Sequence, residues 1–499
     1  MRKELIRSTA PTFPEDEGYR FRHLLIRDAA YESLPKATRA ELHEQFADWL
    51  STHDLVEGDE IVGYHLDQAH RYRAELDVSD PALDALARRA SDHLAVAGRG
   101  ALDRGDFNAG RSLLRRAVEL LPPRDEARLA LAADFSAALF EAGMDQAWDV
   151  LVDAQASVDP QTRARARVQM ATWALVGGYD HPLEVRDAWR EEARAIFEEI
   201  GDEYGLALFW WSTSIETWFG LRAQETQLAC ERALEHLDRS GDSGSRLAQL
   251  VRSRLLACYA YVPLPVDESI LRIESLRAVD RGLQAEEERV VSGRLYAMKG
   301  DFDRARELVS GARQAYVDAG MLQTAGSTAM SEAHIEWLAG DASAAENRLR
   351  DGLADLEAIG ERAYFPTAAL QLANMLYAQG RFDEVREWCE KSRETTGADD
   401  LTNFLDLDLL GGLLLARDGR FDEAEAAGRR AIQLLEGIDM NEIEALAHRH
   451  LAELFVLIEK PDVARGHASR SLEIAERKGD VALAARLREA LVEVGVEIS

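Results

Sequence analysis

Met298-Lys-Gly-Asp-Phe-Asp-Arg-Ala305, Ala378-Gln-Gly-Arg-Phe-Asp-Glu-Val385 and Arg417-Asp-Gly-Arg-Phe-Asp-Glu-Ala424 are three copies of one phrase. Weaker copies stand at Asp103–Gly110 and Leu338–Ala345. Their glycines include Gly300, Gly340, Gly380 and Gly419, separated by 40, 40 and 39 residues, while Gly143 follows Gly105 by 38. A second series runs half a period out of phase through Gly201, Gly241, Gly282, Gly320, Gly360, Gly397, Gly437 and Gly479. A fixed period of this size marks a repeat array rather than several globular domains.

The spacing between the glycines is helical. Ala369, Leu372, Ala373, Leu376 and Tyr377 fall at i, i+3, i+4, i+7 and i+8, and Phe382, Val385 and Trp388–Cys389 carry an apolar stripe onto the next segment. Glycine supplies the left-handed residue that ends one helix, and the Asp or Arg after it opens the next. Each period is thus a hairpin of two helices of about 16 residues, roughly 24 Å long. One hairpin cannot bury both its faces, so neighbours must stack. The expected fold is all-α: a right-handed superhelical solenoid of about ten hairpins with a period of about 40. Val262-Pro263-Leu264-Pro265 replaces one glycine turn, and Val481–Val494 is the expected capping helix.

Leu372-Ala373, Tyr377, Gly380, Phe382 and Glu384, and more fully Gly293, Tyr296, Gly300, Phe302, Ala305 and Ala312, resemble the tetratricopeptide repeat. The long period is similar to the variety found in bacterial signalling ATPases and transcription regulators. The resemblance covers roughly residues 82–495.

The 499 residues include 59 Lys+Arg against 90 Asp+Glu, a net charge of −31. That surplus argues against phosphate backbones and anionic lipid surfaces as partners of the array. At 46% apolar content the chain can bury an extensive core. Cys230, Cys258 and Cys389 form neither a disulfide framework nor a metal-binding pair, which fits a reducing, cytoplasmic setting. No apolar run approaches the ~20 residues of a membrane span, and Met1–Arg7 has no apolar h-region, so no signal peptide is expected there.

Residues 1–54 differ, with basic and acidic groups almost balanced. A helix is expected over Arg20–Tyr31, stopped by Pro35, then a second helix capped by Thr38 with Leu42, Phe46, Trp49 and Leu50 on its apolar face. Phe21-Arg-His-Leu-Leu-Ile-Arg-Asp-Ala-Ala-Tyr-Glu-Ser-Leu34, followed by Leu42-His43, resembles the winged-helix element that closes the nucleotide-binding region of STAND-type signalling ATPases. The wording is similar to bacterial class III adenylate/guanylate cyclases built as cyclase, ATPase and tetratricopeptide tail. Ile61–His65 and Arg71–Glu75 look like that family's junction. The resemblance implies a truncated winged-helix segment at 1–54, a helical junction at 55–81 and a repeat array at 82–499. It also implies that His23 would approach a nucleotide phosphate if an upstream nucleotide domain were present. The sequence has no G-x-x-x-x-G-K-[ST] loop and no strand-borne aspartate pair for cyclase metals, so no catalytic site, cofactor or metal is expected.

Five of the nine tryptophans lie between Trp173 and Trp218. Trp211, Ile215 and Trp218 share a stripe expected in the core. Trp210, Thr213, Ser214 and Thr217 share a less apolar face, so Trp210, Ser214 and Thr217 are the candidate ligand contacts of a concave groove; packing of an irregular repeat is the simpler alternative. His448 and His450 point in different directions and are expected on solvated surface. His65 and His70 are off metal spacing. Asp406 and Asp408 lack a third catalytic partner. The three thiols are expected to be inert core, and Glu286-Glu287-Glu288 a solvated face. The expected function is a non-catalytic interaction or sensor module for a peptide, protein or small effector. The alternatives are the regulatory tail of a nucleotide cyclase, or a winged-helix transcription regulator.

Overall fold

The computed structural model describes residues 5–9, 17–53, 58–141, 146–176, 181–276, 283–397 and 400–496, so Gly143 and Gly282 lie outside the described residues. Among those residues the chain forms one two-stranded antiparallel sheet and twenty-five helices. It divides into two compact units, 1–166 and 167–499, a division that falls within the span expected as one array. Among the described residues no helix is long and apolar enough to cross a membrane.

In the first unit, β1 (Ile6–Thr9) pairs with β2 (Gly18–Phe21), placing Ile6 opposite Phe21 and Thr9 opposite Gly18. The helix expected from Arg20 therefore begins only at Leu24, as α1 (Leu24–Glu32). α2 (Lys36–Leu50) starts directly after Pro35, which leaves Thr38 inside the first turn rather than at the cap. Its buried face is Ala40, His43, Ala47 and Leu50, packed on α3 (Gly58–Leu76) and α4 (Leu83–Asp103). Leu42, Phe46 and Trp49 lie on another stripe and are exposed. The small residues decide the face, because alanines let neighbouring helix backbones approach closely. Next come α5 (Phe107–Glu119), α6 (Glu126–Ala130), α7 (Ala132–Glu141), α8 (Gln146–Ala154) and the start of α9 (Pro160–Val176).

The second unit is a tetratricopeptide-like helical solenoid. It begins with α10 (Leu183–Ile200), then pairs α11 (Glu203–Phe219) with α12 (Ala223–Ser240), α13 (Arg246–Tyr261) with α14 (Val266–Leu276) and α15 (Leu283–Met298) with α16 (Phe302–Asp318). It continues with α17 (Leu322–Ala339) and α18 (Ala342–Ala358), α19 (Phe365–Ala378) and α20 (Phe382–Thr395), then α21 (Leu401–Arg417) and α22 (Phe421–Leu434). The last hairpin is α23 (Asn441–Leu457) and α24 (Pro461–Lys478), and α25 (Val481–Glu493) caps it. The stripe Ala369, Leu372, Ala373, Leu376 and Tyr377 is buried as its spacing requires.

Gly380 shows how the turns work. It sits at φ 74°, and the next N–H, of Arg381, donates back to the Leu376 carbonyl at 3.0 Å. Two turns reach the same conformation without glycine: Leu221 (φ 56°), two periods before Gly300, and Glu459 (φ 61°), 40 residues after Gly419. Gly397, by contrast, does not adopt it.

The second unit curls until its last hairpin meets its first ones. The Asp439 carboxylate accepts the backbone N–H groups of Ala223 and of Gln224 (3.1 Å), and the Asp439 N–H donates to the Leu221 carbonyl at 3.1 Å. Lys478 Nζ donates to the carbonyls of Tyr259 and Val262, both at 2.9 Å, and Arg486 Nε on α25 donates to the Leu338 carbonyl at 3.3 Å. The groove expected to run open along the array is closed at one end.

Candidate functional site

The first helix of each hairpin turns one side toward the inside of this curl. Seven residues apart on a helix is nearly two full turns, so Arg254 and Tyr261 on α13 share a side, as do Glu287 and Arg294 on α15. These positions form two levels with different chemistry.

At the closed level, the floor, Arg294 donates to Glu442 Oε2 on α23 at 2.6 Å, and His334 Nδ1 on α17 lies 3.4 Å from Glu442 Oε1. The Arg294 guanidinium also lies 5.2 Å from the Tyr261 ring centre. Burial works against both charges, and each ion holds the other charged: Arg294 is raised above its ordinary value and Glu442 lowered. Burial, with some help from Arg294, pulls His334 down to about 4, so it is neutral at pH 7. Its proton then belongs on Nδ1, facing Glu442, and leaves Nε2 as a buried acceptor without a partner. Beside this ion pair, Lys478 Nζ meets its two carbonyls and Ser269 Oγ (3.3 Å). Burial draws Lys478 down to about 7 and pushes Asp480 up to about 7. A cleft with room for about one water lies among Met298, Asn441, Glu442, Lys478 and Asp480.

At the open level, the rim, Arg254 lies over the Trp218 ring, 4.3 Å from its centre, and Trp218 meets Tyr261 edge-on at 5.6 Å. Among the described residues Arg254 makes no salt bridge and no hydrogen bond, and its Nε is buried without a partner. Glu287 lies within its electrostatic reach and accepts one long hydrogen bond, from Tyr316 at 3.4 Å. Burial raises the Glu287 carboxyl, and Arg254 opposes that rise. Tyr364, before α19, faces the same pair, its phenol raised by burial although the residue is 43% exposed. Exposed yet enclosed is what the lining of a concave opening looks like.

The sequence candidates fall elsewhere. Ser214 and Thr217 are buried against α12: Ser214 donates to the Trp211 carbonyl at 2.7 Å, and Thr217 shares a 2.9 Å hydrogen bond with Thr226. Trp210 is half-buried, packed on the core and edge-on to Phe209. Trp218 packs against the core as expected, and it also carries the Arg254 guanidinium on its ring. His23 is exposed, and its carbonyl starts α1 by accepting the N–H groups of Ile26 and Arg27. Glu287 is enclosed rather than solvated. His448 is not solvated surface either: its Nδ1 meets His467 Nδ1 at 2.9 Å, and His450 is buried. His65 pairs with His43, Nδ1 to Nδ1, at 2.7 Å. Asp408 binds Arg430 at 2.6 Å, while burial and the nearby Asp400 raise the Asp406 carboxyl to about 7. The three thiols are buried and raised by burial. Arg254, Tyr261, Arg294, His334 and Glu442 went unmarked in the sequence. The i, i+7 recurrence of polar or aromatic residues on a helix that is otherwise core was the available signal. Among the described residues no group of three or more His, Cys, Asp or Glu side chains is placed to hold a metal ion.

No family model matches the chain, and no curated protein matches it. Among solved structures it is similar to a Rap protein complexed with competence and sporulation factor (13% identity, 80% of this chain and 99% of that one, TM-score 0.46). It is also similar to a human IFIT1 dimer with m7Gppp-AAAA (16% identity, 94% and 97% covered, TM-score 0.40). A third is a STAND signal-transduction ATPase with a tetratricopeptide repeat sensor from Pyrococcus horikoshii (12% identity, 96% and 58% covered, TM-score 0.32). The repeat fold of this chain stands on its own hairpins.

Proposed function

We propose that the second unit is a binding module that takes a peptide or small effector on its inner face, without turnover. The observation that carries this reading is the rim: a guanidinium on an indole, without a salt bridge among the described residues, within electrostatic reach of a carboxylate and a tyrosine. Leaving a buried N–H donor such as Arg254 Nε unpaired is costly, and a ligand that lets the guanidinium re-pair would relieve that cost. The test is affinity selection of a random peptide pool on the immobilised full chain, repeated with Trp218→Ala and Tyr364→Ala. The reading expects both variants to lose the selected ligands; a pool retained equally by all three proteins overturns it.

For the wider setting, we propose the sensor tail of a signal-transduction ATPase, on the strength of the phrase from Phe21 to Leu34 and of Leu42-His43. Reading the coding sequence upstream of Met1 in frame tests this. A P-loop or cyclase coding segment supports it, and the absence of both sinks it.

A further inference from the structure

Arg254 and Glu287 come from adjacent inner helices, lie within electrostatic reach and carry opposite charges, yet they form no salt bridge. One turn-pair deeper on the same helix, Arg294 does close onto a carboxylate, at 2.6 Å. The one other Arg–Glu contact named for this face, Arg294–Glu442, is bridged, which sets the rim apart. Each partner also has free valence. The Arg254 Nε donor has no partner, its guanidinium carbon sits 4.3 Å from the Trp218 ring centre, and only one oxygen of Glu287 is engaged, weakly, by Tyr316. A guanidinium whose carbon sits over an indole keeps its N–H fork for a second partner, and that fork suits a carboxylate with two parallel hydrogen bonds. A carboxylate beside it takes an ammonium. The pair is locally neutral, which disfavours a dianion such as a phosphate monoester and suits a ligand with one charge of each sign. Trp218 and Tyr364 give the rim aromatic surface for the apolar part of such a ligand.

We infer that the rim of the second unit reads a zwitterion: Arg254 takes a carboxylate and Glu287 an ammonium of the same ligand, completing an ion pair that the protein leaves open. The carrier is a free amino acid or a short peptide with free ends. This inference rests on the binding-module reading and narrows its ligand class.

The test uses the full chain and two probes: a pool of free L-amino acids and a pool of random tetrapeptides. Each is supplied unmodified, N-acetylated and C-amidated, and binding is followed by tryptophan fluorescence and thermal shift. At least one unmodified pool is expected to bind, and either cap weakens that binding about tenfold. Arg254→Met removes the penalty of amidation, and Glu287→Gln removes the penalty of acetylation. Arg254→Lys, which keeps the charge and loses the fork, recovers only part of the affinity. Which pool responds identifies the carrier. If capped and free pools bind equally, or only one cap matters, the zwitterion reading is overturned while the binding module stands. If neither pool binds the folded chain, both fall. The comparison of caps is made on the unaltered protein, so a misfolding variant does not blunt it.

Discussion

The floor and the rim of the inner face share two helices, α13 and α15, and differ in whether their charges are bridged. On α15, Arg294 at the floor is bridged to Glu442 at 2.6 Å, while Glu287, seven residues earlier, has no bridge to the arginine in its reach. On α13, Tyr261 at the floor meets Trp218 edge-on and lies against Arg294, while Arg254 leans on Trp218 alone. The partners that complete the floor come from α17 and α23, which the curl of the unit brings underneath. Nothing covers the rim in the same way among the described residues. The contrast separates groups that hold the curl shut from groups with free valence, and each half of it can be tested.

The largest expected effect is at the floor. Glu442→Ala leaves Arg294 buried with no counter-charge, and denaturant unfolding should show a loss of about 3–5 kcal/mol. A loss under about 1 kcal/mol would mean that the floor is open to water and the contrast false.

Next is the pH dependence. His334 falls from an unfolded value near 6.5 to about 4 in the fold, so between those values the unfolded chain binds more protons. The stability this neutral histidine supplies is complete above about pH 6.5 and is lost as pH falls toward 4. Comparing unfolding at pH 7 and pH 4.5, His334→Gln should flatten the decline by roughly 2 kcal/mol. His65 and His448, also held near 4, keep their own share of it. A decline unchanged by the substitution would show that His334 does not titrate in this way.

The smallest effect sharpens the rim. Arg254→Met loses no ion pair and gives up only its contact with Trp218, so stability should change by about 1 kcal/mol or less. A loss as large as that of Glu442→Ala would make the rim structural and remove the distinction.

Much of this was legible in the sequence, and the misses have physical causes. Period and stripe reading reports on a residue's near neighbours, so Ala369, Leu372 and Tyr377, the turn at Gly380 and the cap from Val481 were readable. Glycine spacing does not see turns held from outside: Leu221 stays left-handed where Asp439, more than two hundred residues on, binds the same turn. Apolar size misled at α2, where alanines rather than Phe46 and Trp49 set the buried face. The polar face of α11 misled for a similar reason. Ser214 and Thr217 satisfy themselves by hydrogen bonding within the hairpin, and it is aromatic Trp218 that reaches the inner face. The pairing that closes the floor carries no local signal beyond the i, i+7 recurrence, because Lys478 meets Tyr259 across 219 residues of chain.

The central claim is that ligand enters at the rim of the second unit, and hydrogen exchange of the full chain with and without the bound tetrapeptide pool tests it most directly. The account predicts slowed exchange at α11, α13, α15 and the start of α19, with α2 and its exposed Phe46 and Trp49 unchanged. Protection centred on α2, or none at all, would contradict it.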